Sequence, residues 1–233
     1  MSDRLLGAVV KKPQRETAGA TTAARFDYQK NWAFCELIDR HQANADYLVA
    51  FEFHDDVVFF DKEMSPEKIE FIQVKTSKSV KPRTLASITQ RKNDASSIIG
   101  KMLQNAEGLE SAQSIRFILV SNNAFEFGAD NLCAGELDEK YKAKLLLKMK
   151  EEFSDYTKNH LDALFFWVSD IPVDGIETFL RGKAMELFEE RFGANFSYNV
   201  ATWLRLVQGE ITRKNNFPPE QISTVEQLIS KNV

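Results

Sequence analysis

Hydrophobic residues near the start of the chain follow two different spacings. Between position 21 or 22, where a threonine can cap a helix, and Gln42 they recur every three or four positions, which predicts an amphipathic helix. The next segment holds short runs of β-branched and aromatic residues between polar turns, which predicts a three-stranded antiparallel meander. The predicted strands cover 47–53, 57–60 and 69–75, and His54 and Asp55 form the first turn.

Two nearly continuous apolar runs follow. Runs of this kind are typical of strands that helices cover on both faces, and they predict strands at 114–121 and 164–168. Amphipathic patterns predict the remaining elements as helices. These helices cover about 84–107, 137–160, 174–192, 198–212 and 219–231.

This order of elements predicts an α/β fold, in which helices flank a mixed central sheet and a helical extension follows at the C-terminus. We place the core at residues 1–172, of which 1–20 form a polar, flexible lead-in, and the extension at 173–233. The 233 residues suffice for one large domain or for a domain with a small appendage.

Composition argues against several classes of protein. The chain has two cysteines, Cys35 and Cys133, and no spaced Cys/His pairs, so neither a disulfide framework nor a zinc site is expected. No apolar run approaches the roughly 20 residues that a membrane-spanning helix needs. The N-terminus is polar and lacks the hydrophobic stretch of a signal peptide. We therefore predict a cytoplasmic protein with no membrane partner.

The distribution of charge is more informative than its sum. The net charge of −4 argues weakly against nucleic-acid binding, yet six basic residues and no acidic ones occupy positions 75 to 92. A one-sided positive field of this kind attracts a polyanion. The alternative is a solvated basic loop that leads into a helix. Beyond Lys75, the predicted contacts to a polyanion are Lys78, Lys81, Arg83, Arg91 and Lys92.

Polar residues stand where two predicted strands meet. Asp55 and Asp56 precede the second strand, and Gln73 and Lys75 close the third. Because side chains alternate along a strand, Gln73 and Lys75 share a face, and a strand that enters at Asp56 can lie beside them. Mg²⁺ prefers oxygen ligands, so we predict a Mg²⁺ site made by Asp56, the Gln73 amide and the Val74 carbonyl, in which Mn²⁺ can substitute.

A cation beside an ammonium group suits the hydrolysis of a phosphodiester, which needs a neutralised phosphate and an activated water. Lys75 would hold the scissile phosphate or lower the pKa of the attacking water. Gln73 stands where many nucleases carry an acid, which removes one negative charge and lowers the expected metal affinity. The alternatives are that Asp56 is only a turn residue and that Gln73 and Lys75 are polar residues of an edge strand.

Three further polar residues can join this site. Glu52 lies on the first predicted strand, close to the aspartate pair. Gln29 and Glu36 are two turns apart on the first helix, so they share a face that can look onto the edge of the sheet. The alternative for Glu36 is a solvent-facing polar stripe.

Three segments carry a resemblance to a known family. They are Gly19 with Phe26-Asp27-Tyr28-Gln29, then Phe51-Glu52-Phe53-His54-Asp55-Asp56-Val57, and Ile72-Gln73-Val74-Lys75-Thr76. The chain resembles the N-terminal nuclease domain of the CD-NTase-associated double-stranded DNA endonucleases, effectors of bacterial anti-phage defence in CBASS systems. That domain belongs to the PD-(D/E)xK superfamily, here with a D…QxK motif. The resemblance is most specific over residues 17–78 and extends to about 170.

The resemblance implies a restriction-endonuclease-like fold and Mg²⁺-dependent cleavage of duplex DNA with little sequence specificity. By motif position, Asp56, Gln73 and Lys75 correspond to the catalytic core. Gln29 corresponds to the polar residue of the first helix, and Glu52 to the acid that precedes the aspartate pair. The polyanion expected at the basic segment is then double-stranded DNA.

Similar nuclease domains are fused to a sensor domain that drives oligomerisation, or are partnered with an ATPase complex. The resemblance therefore implies a homo-oligomer on activation and either a sensor domain or an ATPase partner. Two alternatives stay open at this point. One is a non-catalytic DNA-binding or assembly module of a defence complex, and the other is a nuclease that acts on RNA.

Overall fold

A computed structural model describes position 7 and residues 23–43, 46–63, 65–77, 79–91, 95–109, 114–128, 130–193 and 199–215. The helices are α1 (Ala23–Gln42), α2 (Leu85–Thr89), α3 (Ile98–Leu103), α4 (Glu139–Glu152), α5 (Lys158–Asp162), α6 (Ile176–Phe192) and α7 (Val200–Asn215). The strands are β1 (Leu48–Phe53), β2 (Asp55–Phe60), β3 (Lys68–Lys75), β4 (Ser114–Ser121), β5 (Leu132–Cys133) and β6 (Leu164–Val168). Apart from position 7, the predicted lead-in lies outside the described residues, as do the threonine cap and the helix over 219–231.

Within the described residues, the strands form one sheet in the order β1-β2-β3-β4-β6-β5. β1, β2 and β3 pair antiparallel, which confirms the predicted meander. β4 runs parallel to β3 and β6 runs parallel to β4, so the connections between them cross over the sheet. The two-residue β5 pairs antiparallel with β6 at the edge. The predicted α/β fold, with a mixed central sheet flanked by helices, is therefore confirmed.

Helices cover both faces of the sheet and enclose two apolar cores. On one face, α1, α6 and α7 bury Trp32, Leu180 and Leu204 against the strands. On the other face, helices α2 to α5 bury residues such as Leu85 and Leu145. The helices after position 172 thus share a core with α1, and the predicted boundary at 172 and 173 stays a prediction. No helix in the described part of the chain is long and apolar enough to cross a bilayer.

The apolar run of β4 follows from its place between these cores. Phe117 and Leu119 point into the core under α2 to α5, whereas Ile118 and Val120 point into the core under α1. Because helices cover both faces, neither set needs polar side chains. The central strand thereby forms a rigid base for the residues at the carboxyl end of its neighbour β3.

The predicted helix over 84–107 is wrong, because the chain forms two short helices, α2 and α3. Ser97, in extended conformation, caps α3 by accepting a hydrogen bond from Gly100 N at 2.9 Å. The Glu152 carboxylate accepts from Ser97 N at 2.8 Å and from its hydroxyl at 2.6 Å. A side chain at position 100 would overlap this carboxylate, so the glycine allows the contact that starts the new helix.

The predicted helix over 137–160 is also interrupted. α4 ends at Glu152, Phe153 turns to an extended conformation, and α5 begins after Thr157. The Phe153 and Tyr156 rings lie 5.0 Å apart between the two helices. The Thr157 N–H donates to His160 Nδ1 at 3.1 Å and caps the second helix. The packing of these two rings and the cap at Thr157 stabilise the break between α4 and α5.

Candidate functional site

A one-residue turn brings two aspartates into the sheet. Phe53 pairs with Asp55, so His54 alone connects β1 to β2, at a φ of 64°. The predicted turn at His54 and Asp55 is therefore one residue too long, and Asp55 belongs to β2. Asp55 and Asp56 are each 5% exposed. Their carboxylates thus lie inside the fold, where charge requires polar partners.

Glu52 changes the alternation of side chains along β1. Its φ of 53° is left-handed, which is unfavourable for a residue other than glycine. Ala50 and Phe51 point into opposite cores, as expected, but Phe53 packs in the same core as Ala50. The left-handed residue therefore shifts the phase of the strand by one position. Glu52 itself falls opposite Asp56 in the register of the hairpin, and its catalytic role stays a prediction.

Asp56 joins β2 to both β3 and α1. Its Oδ2 accepts hydrogen bonds from Val74 N and from Gln29 Nε2, each at 2.7 Å. The same Gln29 nitrogen also donates to the Val74 carbonyl at 3.1 Å. The structure therefore brings Gln29, Asp56 and Val74 together, with one amide nitrogen between two oxygens that are predicted metal ligands. Asp56 is more than a turn residue, because its carboxylate reaches across to the neighbouring strand and helix.

Gln73 lies beside this group on β3 and is 2% exposed. Its amide nitrogen is buried and has no hydrogen-bond partner among the residues that the structure describes. Such a group costs about 1–3 kcal/mol. Rotation of the amide by 180° exchanges its nitrogen and oxygen, so the same position can offer an oxygen to a cation. Lys75, two residues on and half-buried, lies on the same side of β3 by the alternation of the strand.

The donor atoms of the predicted ligand set are of the type that Mg²⁺ binds. Asp56, the Gln73 amide and the Val74 carbonyl supply only oxygen donors, as this cation prefers. The described residues contain no cluster of three His, Cys, Asp or Glu side chains that could hold a metal. The predicted set needs no such cluster, because one carboxylate is its only side chain of those four types. Gln29 contacts two of the three ligands, so its amide would compete with a cation for them.

Glu36 belongs to a different polar cluster. It pairs with Arg40 at 2.9 Å, Arg40 also pairs with Glu70 at 2.5 Å, and Arg116 pairs with Glu70 at 2.8 Å. Burial raises the pKa of the Glu36 carboxyl, and Arg40 opposes that rise. Glu70 stands near the start of β3, whereas Gln73 stands near its end. We call these four charged residues the ion-pair network. Glu36 joins that network and neither the candidate site nor a solvent-facing stripe.

Arg83 ties the loop after β3 to the end of that strand. Its guanidinium donates to the Lys75 carbonyl at 3.3 Å and to the Ser121 hydroxyl at 3.1 Å. Burial lowers the pKa of this guanidinium. These contacts give Arg83 a structural role within the protein itself. The predicted contact of Arg83 with DNA stays a prediction.

The other predicted DNA contacts divide by position. Lys81 and Arg91 are exposed, as a contact to a large polyanion requires. Lys78 and Lys92 lie outside the described residues. Two of the predicted contacts thus lie at the protein surface, and one of them, Lys81, is on the loop directly after β3.

Sequence reasoning missed two asparagines that hold this loop. Asn122 exchanges two hydrogen bonds of 2.9 Å with the backbone of Ser77. The Asn123 amide donates to the carbonyls of Ser79 and Lys81, at 2.5 and 2.8 Å. Both follow β4, which is parallel to β3, so residues after the two strands meet at one edge. The sequence does contain a signal for them, since two amide side chains stand directly after the apolar run of β4.

A comparison with models of known protein families places the chain in a family. The family model described as "Cap4, dsDNA endonuclease domain" matches residues 17–215. The matched range includes every candidate site residue described above and also the helices α6 and α7. No curated protein matches the chain.

Proposed function

Because the chain belongs to the Cap4 dsDNA endonuclease domain family, we propose that it hydrolyses double-stranded DNA in a metal-dependent reaction with little sequence specificity. The family and the six-stranded mixed sheet between two helical layers give a restriction-endonuclease-like fold. One observation carries the proposed site. Gln29 Nε2 and Asp56 Oδ2 meet at 2.7 Å beside Val74 and the buried Gln73 amide, at the strand end that carries Lys75.

In this proposal, Asp56, Gln73 and the Val74 carbonyl would hold Mg²⁺, or Mn²⁺ in its place. When bound, the cation would neutralise charge on the phosphate and lower the pKa of a bound water. Lys75 holds the scissile phosphate close to the carboxylate. Gln29 orients Asp56, because its amide donates to the same carboxylate oxygen that Val74 N binds.

Glu52 would add a second carboxylate near the reacting groups. It lies opposite Asp56 in the β1–β2 register, on a backbone position that is held in a left-handed conformation. Residues held in such conformations are frequent at functional sites, where the surrounding fold pays for the strain. We propose that the fold maintains Glu52 in this conformation so that the acid stays beside the aspartate pair.

We further propose that the enzyme acts in bacterial anti-phage defence and is activated by assembly. A nuclease with little specificity would damage the host if it were always active. Two copies, each cutting one strand, would produce a double-strand break. A sensor domain or an ATPase partner would supply the signal that brings the copies together, in the cytoplasm where phage DNA is present.

Plasmid cleavage tests the proposed function. Supercoiled DNA is incubated with the purified chain and Mg²⁺, Mn²⁺ or EDTA, beside the Asp56→Ala, Lys75→Ala and Lys62→Ala variants. Lys62 is the matched control, since it pairs with Glu67 between β2 and β3, away from the candidate site. We expect metal-dependent linearisation by the wild type and the control, and none by the other two variants.

Two results would contradict the proposal. Normal cleavage by Lys75→Ala would reject the assigned site. Absence of cleavage by folded wild-type protein, even when it is fused to an oligomerising domain, would favour the non-catalytic module. The neutral Gln73 supports that second candidate, because the proposed ligand set then contains one carboxylate, that of Asp56. A parallel incubation with structured RNA distinguishes the RNA nuclease.

A further inference from the structure

The loop between β3 and α2 presents an apolar residue that the core does not use. Val80 is 96% exposed, the highest value among the exposed large hydrophobic residues of the described chain. Its neighbours Ser79 and Lys81 are exposed as well. A single exposed valine is common on protein surfaces and by itself needs no explanation. What distinguishes Val80 is how firmly the residues beside it are held.

One side-chain amide fixes the backbone on both sides of Val80. Asn123 Nδ2 donates to the carbonyl of Ser79 at 2.5 Å and to the carbonyl of Lys81 at 2.8 Å. The Lys81 N–H donates in turn to the Ser79 hydroxyl at 3.2 Å. The chain around Val80 is therefore closed into a tight turn whose apolar tip projects into solvent. A residue held this way loses little conformational entropy when it binds a partner.

The same loop is fastened at the strand end that carries the candidate site. Asn122 exchanges two hydrogen bonds with Ser77, two residues after Lys75. Arg83 donates to the Lys75 carbonyl, so the two ends of the loop meet. Loops closed in this way are compact and often functional. The tip thus has a fixed position relative to Lys75.

We propose that this tip is a preorganised DNA contact, in which Val80 inserts into the minor groove and Lys81 binds the adjacent phosphate. The proposal rests on the proposed function and adds to it a residue that positions the duplex. Apolar side chains that enter the minor groove part neighbouring bases, and basic residues beside them bind the backbone. Contacts of this kind place the scissile phosphate without reading sequence, as low specificity requires.

Charge selects DNA over a second copy of the chain as the partner. The segment from position 75 to 92 carries six basic residues and no acidic residue. The same surface on another copy would repel it, whereas a polyanion is attracted. An apolar tip within a basic segment therefore fits the chemistry of a nucleic-acid duplex.

Binding without cleavage tests the proposal. The fluorescence anisotropy of a labelled duplex is titrated in EDTA with wild-type protein and with Val80→Ser, Asn123→Ala, Lys81→Ala and Leu147→Ser. Leu147 is the matched control, an exposed hydrophobic residue on α4 with 58% exposure. Loss of a valine side chain that becomes buried in the complex with DNA should weaken binding about tenfold. Leu147→Ser should bind as the wild type does.

Salt dependence separates the two predicted contacts. Val80→Ser should keep the wild-type slope of log K against log salt, because the valine neutralises no phosphate. Lys81→Ala should reduce that slope by about 0.9, the value for one phosphate contact. Asn123→Ala should weaken binding although its side chain lies behind the loop, and unchanged thermal unfolding of that variant would exclude a general loss of fold.

A base analogue reports the insertion directly. 2-Aminopurine in the duplex should brighten with the wild type, because unstacking relieves its quenching, and should stay dim with Val80→Ser. If wild type binds and cleaves DNA but Val80→Ser matches it in both assays, only the present inference is overturned. If Val80→Ser instead abolishes self-association without affecting DNA binding, the tip contacts a second copy, which also overturns it. If the wild type does not bind duplex DNA, both this inference and the proposed function are rejected.

Discussion

The two ends of β3 hold their carboxylates in different ways. Near the start of the strand, Glu70 accepts hydrogen bonds from two guanidinium groups, Arg40 at 2.5 Å and Arg116 at 2.8 Å. Beside its end, the Asp56 Oδ2 accepts from the Gln29 amide and from Val74 N, each at 2.7 Å. The donors just named are guanidinium cations at one end, and at the other they are a side-chain amide and a backbone N–H, which carry no charge.

This difference indicates what each end is suited to do. A carboxylate between two guanidinium groups has its charge compensated by the fold, and removing a cation from such a network is unfavourable. Neutral donors such as the Gln29 amide and Val74 N fix a carboxylate in place and add no positive charge of their own. One sheet therefore carries a structural acid and a candidate functional acid, and these donors differ in charge between the two.

The largest expected difference follows from replacing each acid by its amide. Asp56→Asn should lower DNA cleavage by about 10²–10⁴-fold, because the site loses its carboxylate ligand. Glu70→Gln is the matched change at the other end and should leave the cleavage rate within about threefold of wild type. Plasmid cleavage in Mg²⁺, scored by initial rate, measures both. Equal losses in the two variants would show that the two ends do not differ in function.

A stability measurement should give the opposite ranking. Arg40→Met removes the cation between Glu36 and Glu70 and leaves two partly buried acids without it. We expect a loss of about 2 kcal/mol in the free energy of unfolding, measured by urea denaturation. Gln29→Met removes an uncharged amide donor and no cation, so it should lose only about 1 kcal/mol. A smaller loss for Arg40→Met than for Gln29→Met would break the comparison.

An added charge at the candidate site should increase its response to metal. Gln29→Glu places a second carboxylate against Asp56, so the variant should unfold at a lower temperature than wild type in EDTA. Mn²⁺ should then raise its melting temperature more than that of the wild type, corresponding to on the order of tenfold tighter binding. Gln208→Glu is the control, since Gln208 donates to Asn31 rather than to a carboxylate. The same Mn²⁺ response in both variants would reject the metal site.

The smallest effect is a pH dependence within the ion-pair network. Burial raises the pKa of Glu36 above its ordinary value of 4.5, so the folded state favours the protonated acid. The stability that this acid contributes is present below pH 4.5 and is lost as the pH rises through the folded pKa. Glu36→Gln lacks this titration, so wild type should lose stability relative to the variant as the pH rises above 4.5.

Urea unfolding of both proteins across that range measures the effect. Glu63→Gln, at an exposed position, is the control for the loss of one carboxylate. A difference between Glu36→Gln and wild type that stays constant across this range would show that burial does not control the titration of Glu36.

The five longer strands could be predicted because apolar runs and alternation depend on neighbours in sequence. The bounds of β4 and β6 agree with prediction, and those of β3 differ by one residue. The two-residue β5 was not predicted. The two long helices could not be predicted correctly. The break before α3 depends on Glu152, which reaches Ser97 from 55 positions away. Tertiary contacts of this kind override helical patterns.

The candidate site was predictable to the extent that strand geometry determines it. Alternation along β3 and an antiparallel β2 suffice to bring Asp56 near Val74 and Gln73. The spacing of Gln29 and Glu36 suggested that this face of α1 looks onto the edge of the sheet. Which of the two lies against Asp56 depended on the packing of α1, which the spacing does not specify. The asparagine contacts to the loop after β3 needed β4 to be its parallel neighbour, and no local pattern specifies that order.

The left-handed backbone of Glu52 has a consequence for attempts to engineer this protein. Glycine adopts a φ of 53° without steric penalty, so Glu52→Gly should relieve strain of about 1 kcal/mol or more. A screen for heat resistance would therefore favour loss of this candidate catalytic acid. Selection for stability alone would therefore enrich variants that are more stable and less active. A directed-evolution experiment on this protein should measure activity and stability in the same round of selection.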